Sequence, residues 1–353
     1  MLLCRAQHDV AGISLGDLCE KTAAAVHIRL IHRSSPHATI VTMIGSKHAL
    51  GNLRRICGRP ARGVVALAGL LLGGCADVFF ATLGGIGPAN GVDATRGVVF
   101  DAQHDLALDV YAPHAARDAP LIVFFHGGSW ETGKRRWYRY VGDALASSGV
   151  VTVIPDYRKF PAVRFPAFMH DAAHAVGWAR EHAREYGGDP ARVFVMGHSA
   201  GGHIAALLAA DPRYLAEVGL RPRELAGMIG LAGAYAFLPF VGNEAKIFGD
   251  DPDGRHDSQP INFIDGDEPP LLLLHGVDDN EVSAHNAELL AERAQTIRDS
   301  VVLKLYPGVG HAAIVLAFAR GRYSNIPALS DTLDFVLHPP ALPVRSAGSK
   351  TDP

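Results

Sequence analysis

Residues 192–210 read RVFVM, then GHSAGG, then HIAALLAA, and this stretch decides the fold. RVFVM is a run of strand length, and His203 to Ala210 is a helix former without a breaker. Between them stands Ser199, with Gly197 two residues before it and Gly201 two after. A strand that passes into a helix through one residue forces that residue onto a strained turn. Its neighbours two places away must then be small enough to avoid each other. The turn lifts the serine hydroxyl clear of the backbone and places the positive helix N-terminus under it. Ser199 is therefore the candidate nucleophile.

Three further motifs stand at the ends of apolar runs. His126-Gly127-Gly128-Ser129-Trp130 follows LIVFF at 121–125. A serine that attacks a carbonyl needs main-chain N–H donors for the oxyanion, and glycines let such donors come close. Ala200, just after the nucleophile, is one candidate donor, and Gly128 and Ser129 are the others. HGVDDNEV at 275–282 follows four leucines and offers two adjacent carboxylates, Asp278 and Asp279, to orient a histidine. Gly308-Val309-Gly310-His311 follows VVLKLY, and His311 is the candidate base. The chain order is nucleophile, acid, base.

The rest of the chain alternates in the same way. Val98–Asp101 and Leu106–Tyr111 read as a first antiparallel hairpin. Leu121–Phe125, Val150–Ile154, Arg192–Met196, Leu225–Leu231, Leu271–Leu274 and Val301–Tyr306 read as buried strands. Helices are expected near 136–148, 167–186, 200–210 and 284–298, and Pro339 and Pro340 stop the domain's last helix, after the strand 301–306. The fold class is α/β, a mostly parallel central sheet with helices on both faces. In such sheets the reactive groups gather at the carboxyl ends of the strands, where all four motifs fall. This domain is expected over 98–340, after a glycine-rich surface segment at 76–97 and before a polar, disordered tail at 341–353.

Composition narrows the function. A chain of 353 residues holds one large domain plus terminal segments. Its net charge of −3 argues against nucleic acid as a partner. The cysteines, Cys4, Cys19, Cys57 and Cys75, all precede residue 76, which excludes disulfide staples and thiolate metal sites from the domain. His170 and His174 have helical metal-ligand spacing, but no glutamate base follows His170 and no third ligand is near, so no metal is expected. His198 and His203 are read as packing the elbow, and Asp156 with Arg158 as a structural ion pair beneath the oxyanion loop. Trp130 either lines the substrate pocket or packs the loop.

Residues 43–75 read as an address. Arg54, Arg55, Arg59 and Arg62 precede the run VVALAGLLL at 64–72, with no Asp or Glu between Lys21 and Ala76. A basic region, a short apolar run and small residues before a cut site make a secretory signal, and nine residues cannot span a bilayer. Leu72-Gly73-Gly74-Cys75 resembles the bacterial lipobox, which implies lipidation at Cys75. The expectation is an exported protein of the bacterial cell envelope, held to a membrane through that lipid alone. Met43 would open a leader of ordinary length, which makes 1–42 a doubtful extension.

From Val98 to Leu337 the chain resembles the α/β-hydrolase carboxylesterases related to hormone-sensitive lipase. Asp156-Tyr157-Arg158-Lys159-Phe160-Pro161 together with GHSAGGHIAA is similar to the prenylcysteine methylesterases and to bacterial feruloyl/acetyl-xylan esterase-like proteins. The resemblance implies an α/β-hydrolase fold, hydrolysis of a small-molecule ester and no cofactor. Their HGxxDxxV motif implies Asp279, with Val282 three residues on, as the acid. Tyr235 to Pro269 stands where this fold inserts its cap, and a short cap implies an open pocket for small or short-acyl esters. The same machinery also serves amidases and formamidases. A metal-dependent hydrolase and a non-catalytic binding module are the remaining alternatives. Ser129 departs from the third glycine of many relatives, which a main-chain donor tolerates.

Overall fold

The computed structural model describes residues 28–31, 40–43, 89–297, 300–319, 323 and 325–340. The chain divides into two units, Met1–Ala76 and Asp77–Pro353. In the first, β1 (Ile28–Ile31) pairs antiparallel with β2 (Ile40–Met43). The leader at 43–75, with Cys75, and the tail at 341–353 lie outside the described residues, apart from Met43 at the end of β2.

The second unit carries eight strands: β3 (Val92–Asp101), β4 (Leu106–Pro113), β5 (Ala119–Phe125), β6 (Val151–Pro155), β7 (Gly188–His198), β8 (Gly227–Leu231), β9 (Leu271–Gly276) and β10 (Val301–Tyr306). Their order across the sheet is β10-β9-β8-β7-β5-β6-β4-β3. From β6 to β10 every pairing is parallel, and β4 and β3 add an antiparallel edge. The helices are α1 (Arg139–Ser147), α2 (Ala167–Glu181), α3 (Ala200–Ala210), α4 (Pro212–Ala216), α5 (Glu244–Phe248), α6 (Pro252–Asp257), α7 (His285–Thr296), α8 (His311–Leu316) and α9 (Ala328–Leu337).

The central strands are apolar without alternation because both faces are covered. Leu121, Val123 and Phe125 of β5 join one core cluster, and Ile122 and Phe124 join the other. Val193 and Val195 of β7 divide from Phe194 and Met196 in the same way, as do Leu271 and Leu273 of β9 from Leu272 and Leu274. Each such side chain contributes about 1.5–3 kcal/mol by leaving water.

Two expectations need correction. β3 starts at Val92, so the segment expected to be surface loop over 76–97 is strand from there on. The cause is a bulge at Gly97, with positive φ, between the paired residues Thr95 and Val98. Across it the faces change over, so that Val92 and Ala94 pack in one core cluster and Val98 and Phe100 in the other. The Asp109 carboxylate accepts the freed Gly97 N–H at 2.9 Å. Asp156 and Arg158 do not pair with each other either. Asp156 meets Arg135, which also reaches Asp109 at 2.9 Å, while Arg158 forks onto both oxygens of Asp171 at 2.6–3.0 Å.

Candidate active site

Strand register brings the motifs level. Phe125 pairs with Gly197, His198 with Leu231, Leu231 with Leu274, and Gly276 with Tyr306. The loops after β5, β7, β9 and β10 therefore leave the sheet at one edge, side by side.

Ser199 sits between β7 and α3 at φ 55°, ψ −121°, the strained turn that the glycines imply. A Cβ on Gly197 would run into the Gly201 carbonyl, and one on Gly201 into the Phe125 carbonyl. The serine amide donates to Leu231 O at 2.9 Å, which ties the elbow to β8. Gly127 lies against it: an added Cβ would sit 3.0 Å from His198 Nδ1 and 3.2 Å from Ser199 Cβ. Gly128, Ser129 and Trp130 all have positive φ, at 127°, 53° and 57°. The turn closes on itself, with Glu131 and Thr132 N–H both bonded to Gly128 O. Among the described residues no backbone acceptor takes the Gly128 or Ser129 N–H. Behind this loop Tyr157 donates to His126 O at 2.8 Å and its ring stacks on His126 at 4.5 Å.

Asp279 and His311 meet. His311 Nδ1 is 2.7 Å from Asp279 Oδ2, and both residues are buried. The other carboxylate oxygen accepts the N–H groups of Glu281 and Val282, each at 2.9 Å. Burial alone would push the Asp279 carboxyl up, but hydrogen bonding from His275 and His311 outweighs it and holds the group well below the usual carboxylate range. Asp278, its neighbour, is exposed. His311 opens α8, and its carbonyl accepts from His198 Nε2 at 3.1 Å, with the two rings 4.8 Å apart. Since His198 immediately precedes Ser199, this bond couples His311 to the elbow. Burial, reinforced by the charge on His311, lowers His198 to about 3, so it stays neutral. With its one hydrogen on Nε2 directed at the His311 carbonyl, it holds geometry and relays no proton.

Trp130 is buried, with 5% of its surface exposed, and packs the loop. Its Nε1 donates to His203 Nδ1 at 3.2 Å. That fixes the His203 hydrogen on Nε2, which donates to Ser258 O at 2.8 Å. Phe237 and Phe248 surround the Trp130 ring at 5.7 and 4.9 Å, and Glu131 accepts from Asn243 at 2.8 Å. The segment from Tyr235 to Pro269, with α5 and α6, is thus stitched to the oxyanion loop.

His170 and His174 share a carboxylate, Glu217, at 2.7 and 3.9 Å. Asp101, His104 and Asp171 each bring a ligand-type atom within 4.8 Å of the others. Their bonds are already used, His104 on Asp101 at 2.7 Å and Asp171 on Arg158. His275, which sequence reasoning passed over, lies fully buried beside Asp279. A signal for it existed: a histidine also follows β5 directly, His126, and closes β7, His198.

Residues 108–216 match the family BD-FAE, and residues 169–339 match the prolyl oligopeptidase family. A probable isoprenylcysteine alpha-carbonyl methylesterase of Arabidopsis thaliana is 27% identical over 245 residues, 63% of this chain and 51% of that protein. Esterase LipC of Mycobacterium tuberculosis is 32% identical over 223 residues, 58% of this chain and 55% of that one. The chain spans about half the length of these curated relatives. The structure of a thermophilic esterase of Thermogutta terrifontis with butyrate bound is similar at a TM-score of 0.56 and 26% identity, over 70% of this chain and 92% of that one.

Proposed function

We propose that this chain, which resembles the carboxylesterases of the α/β-hydrolase fold, hydrolyses carboxylic esters of small molecules through Ser199, His311 and Asp279. The observation that carries this is the 2.7 Å contact of His311 with Asp279, beside a serine held on a strained elbow. His311 Nε2 takes the Ser199 proton as Oγ attacks the ester carbonyl. The amides of Gly128, Ser129 and Ala200 receive the oxyanion. The intermediate collapses, the alcohol leaves with the proton from His311, and an acyl-serine remains. Water, deprotonated by the same histidine, then releases the acid. Asp279 holds the ring with Nδ1–H toward it and offsets the imidazolium charge. No step calls on a cofactor. The short segment from Tyr235 to Pro269 favours small or short-acyl esters.

The test is a fluorophosphonate probe with a chromogenic acetate or butyrate ester. Covalent addition is expected on Ser199 alone, and Ser199→Ala should lose both labelling and roughly 10⁴-fold or more of the turnover while remaining folded. Labelling at another serine would overturn the reading. Amide cleavage is a second reading, favoured by the match to the prolyl oligopeptidase family. Turnover of matched ester, formamide and peptide substrates decides between them.

The reading extends to the leader. Arg54 to Arg62, the run 64–72 and Leu72-Gly73-Gly74-Cys75 support export and a lipid anchor on Cys75. Among the described residues no helix is long and apolar enough to cross a membrane. Mass spectrometry of the mature N-terminus in a bacterial host is expected to find a lipidated Cys75, and Cys75→Ser should abolish it. An unmodified cytosolic chain that begins at Met1 or Met43 would overturn the anchor and leave the esterase reading intact.

A further inference from the structure

His275 is the last residue but one of β9 and is fully buried. Its Nε2 lies 2.9 Å from Val282 O and 3.2 Å from Asp279 Oδ2. Both neighbours are acceptors, so Nε2 carries the hydrogen, directed at the carbonyl and flanked by the carboxylate. Nδ1 on the far side is buried without a hydrogen-bond partner, which leaves the ring one useful tautomer. The Asp279 oxygen that faces His275 is the same oxygen that holds His311 at 2.7 Å. The carboxylate cannot swing to serve one histidine at a time, because its other oxygen is pinned by the amides of Glu281 and Val282.

We propose that His275 is a positioning residue for the base: its N–H shares the Asp279 oxygen with His311 and limits how much of the carboxylate charge the base receives. This rests on the triad reading above. The consequence is electrostatic. A carboxylate that faces a single imidazole stabilises the imidazolium fully, and the base is then protonated over a wider pH range. A second N–H on the same oxygen draws off part of that stabilisation and keeps His311 neutral, and so able to accept the serine proton, to lower pH. Around His311 stand Asp279 from the β9 loop at 2.7 Å and His198 from β7, its ring 4.8 Å away, while His275 reaches the base through the shared Asp279 oxygen. Tyr138 lies behind His198, their rings 6.3 Å apart. Of these, His275 alone adds a donor to the carboxylate oxygen that the base uses.

The experiment titrates His311 by NMR and follows kcat/KM with pH, in the parent chain and in His275→Leu, His275→Gln and His275→Asn. Gln can place an amide N–H where Nε2 stands; Asn is too short, and Leu has no donor. In the Leu and Asn variants the His311 titration should move up by roughly half a unit or more, the value of one weak donor to a charged group. Activity lost at neutral pH should return at alkaline pH. Gln should restore most of the parent profile. If Leu does not fold, Gln against Asn decides. An unmoved titration, or an activity loss equal at every pH, would overturn the proposal. The NMR titration needs no substrate, so a shift in a protein whose Ser199 proves unreactive would support the role of His275 and defeat the esterase reading instead.

Discussion

At the scale of single residues the site turns on which of two adjacent aspartates faces inward. Asp279 is buried against His311, with its second oxygen on two backbone amides, while Asp278 points to solvent. Asp279→Asn keeps the size and removes the charge that the imidazolium needs. A loss of kcat of about 10³–10⁴-fold is expected, with Asp278→Asn near the parent. A crippled Asp278→Asn beside a normal Asp279→Asn would reverse the assignment. Spacing alone left this choice open, because both carboxylates follow the same strand end and only a resemblance separated them. Ser199 and His311 were legible without help: each motif marks a strand end by its glycines. The Asp156 and Arg158 partners were not, because each found its opposite charge on a residue distant in sequence, Arg135 and Asp171, which spacing does not reveal.

At the scale of elements the elbow is the costly part. Gly201 meets the end of β5 so closely that a methyl group would press on the Phe125 backbone carbonyl, which has no rotamer through which to retreat. Gly201→Ala should therefore destabilise the fold by about 3 kcal/mol or more, or abolish soluble expression. Gly149, which follows α1 at φ +93° with no atom within 4 Å of an added Cβ, is the control. Gly149→Ala strains only its own backbone and should cost about 1 kcal/mol. Equal midpoints for the two variants in urea unfolding would remove the steric account of the G-x-S-x-G spacing. Strands buried on both faces announced themselves as continuous apolar runs. β3 did not, because Arg96 and Gly97 interrupt its apolar positions at the bulge. α5 and α6, at five and six residues, are too short to carry a helical period.

At the scale of the whole molecule, the edge of the sheet that assembles the site also loads the core with imidazoles. His126, His198 and His203 are all buried, and burial lowers them from 6.5 to about 4, 3 and 4. The unfolded chain takes up protons at these three positions as the pH falls through about 6.5, while the fold refuses them until near 4. Over that window the unfolded state binds more protons, so stability rises with pH and is lost on acidification. The slope is up to about 1.4 kcal/mol per pH unit for each histidine. Asp279 acts in the same direction but in a lower window. Its depressed carboxyl contributes stability above the ordinary value of 3.8, and that contribution is lost only below it. The two windows can be told apart by calorimetry. Tm should already fall between pH 6.5 and 4.5, before carboxylates protonate, and His203→Gln should reduce that early slope by removing one buried imidazole. A Tm that is flat to pH 4.5 and drops only below 4 would assign acid unfolding to carboxylates alone. The buried histidines would then have no part in setting the pH range in which this fold survives.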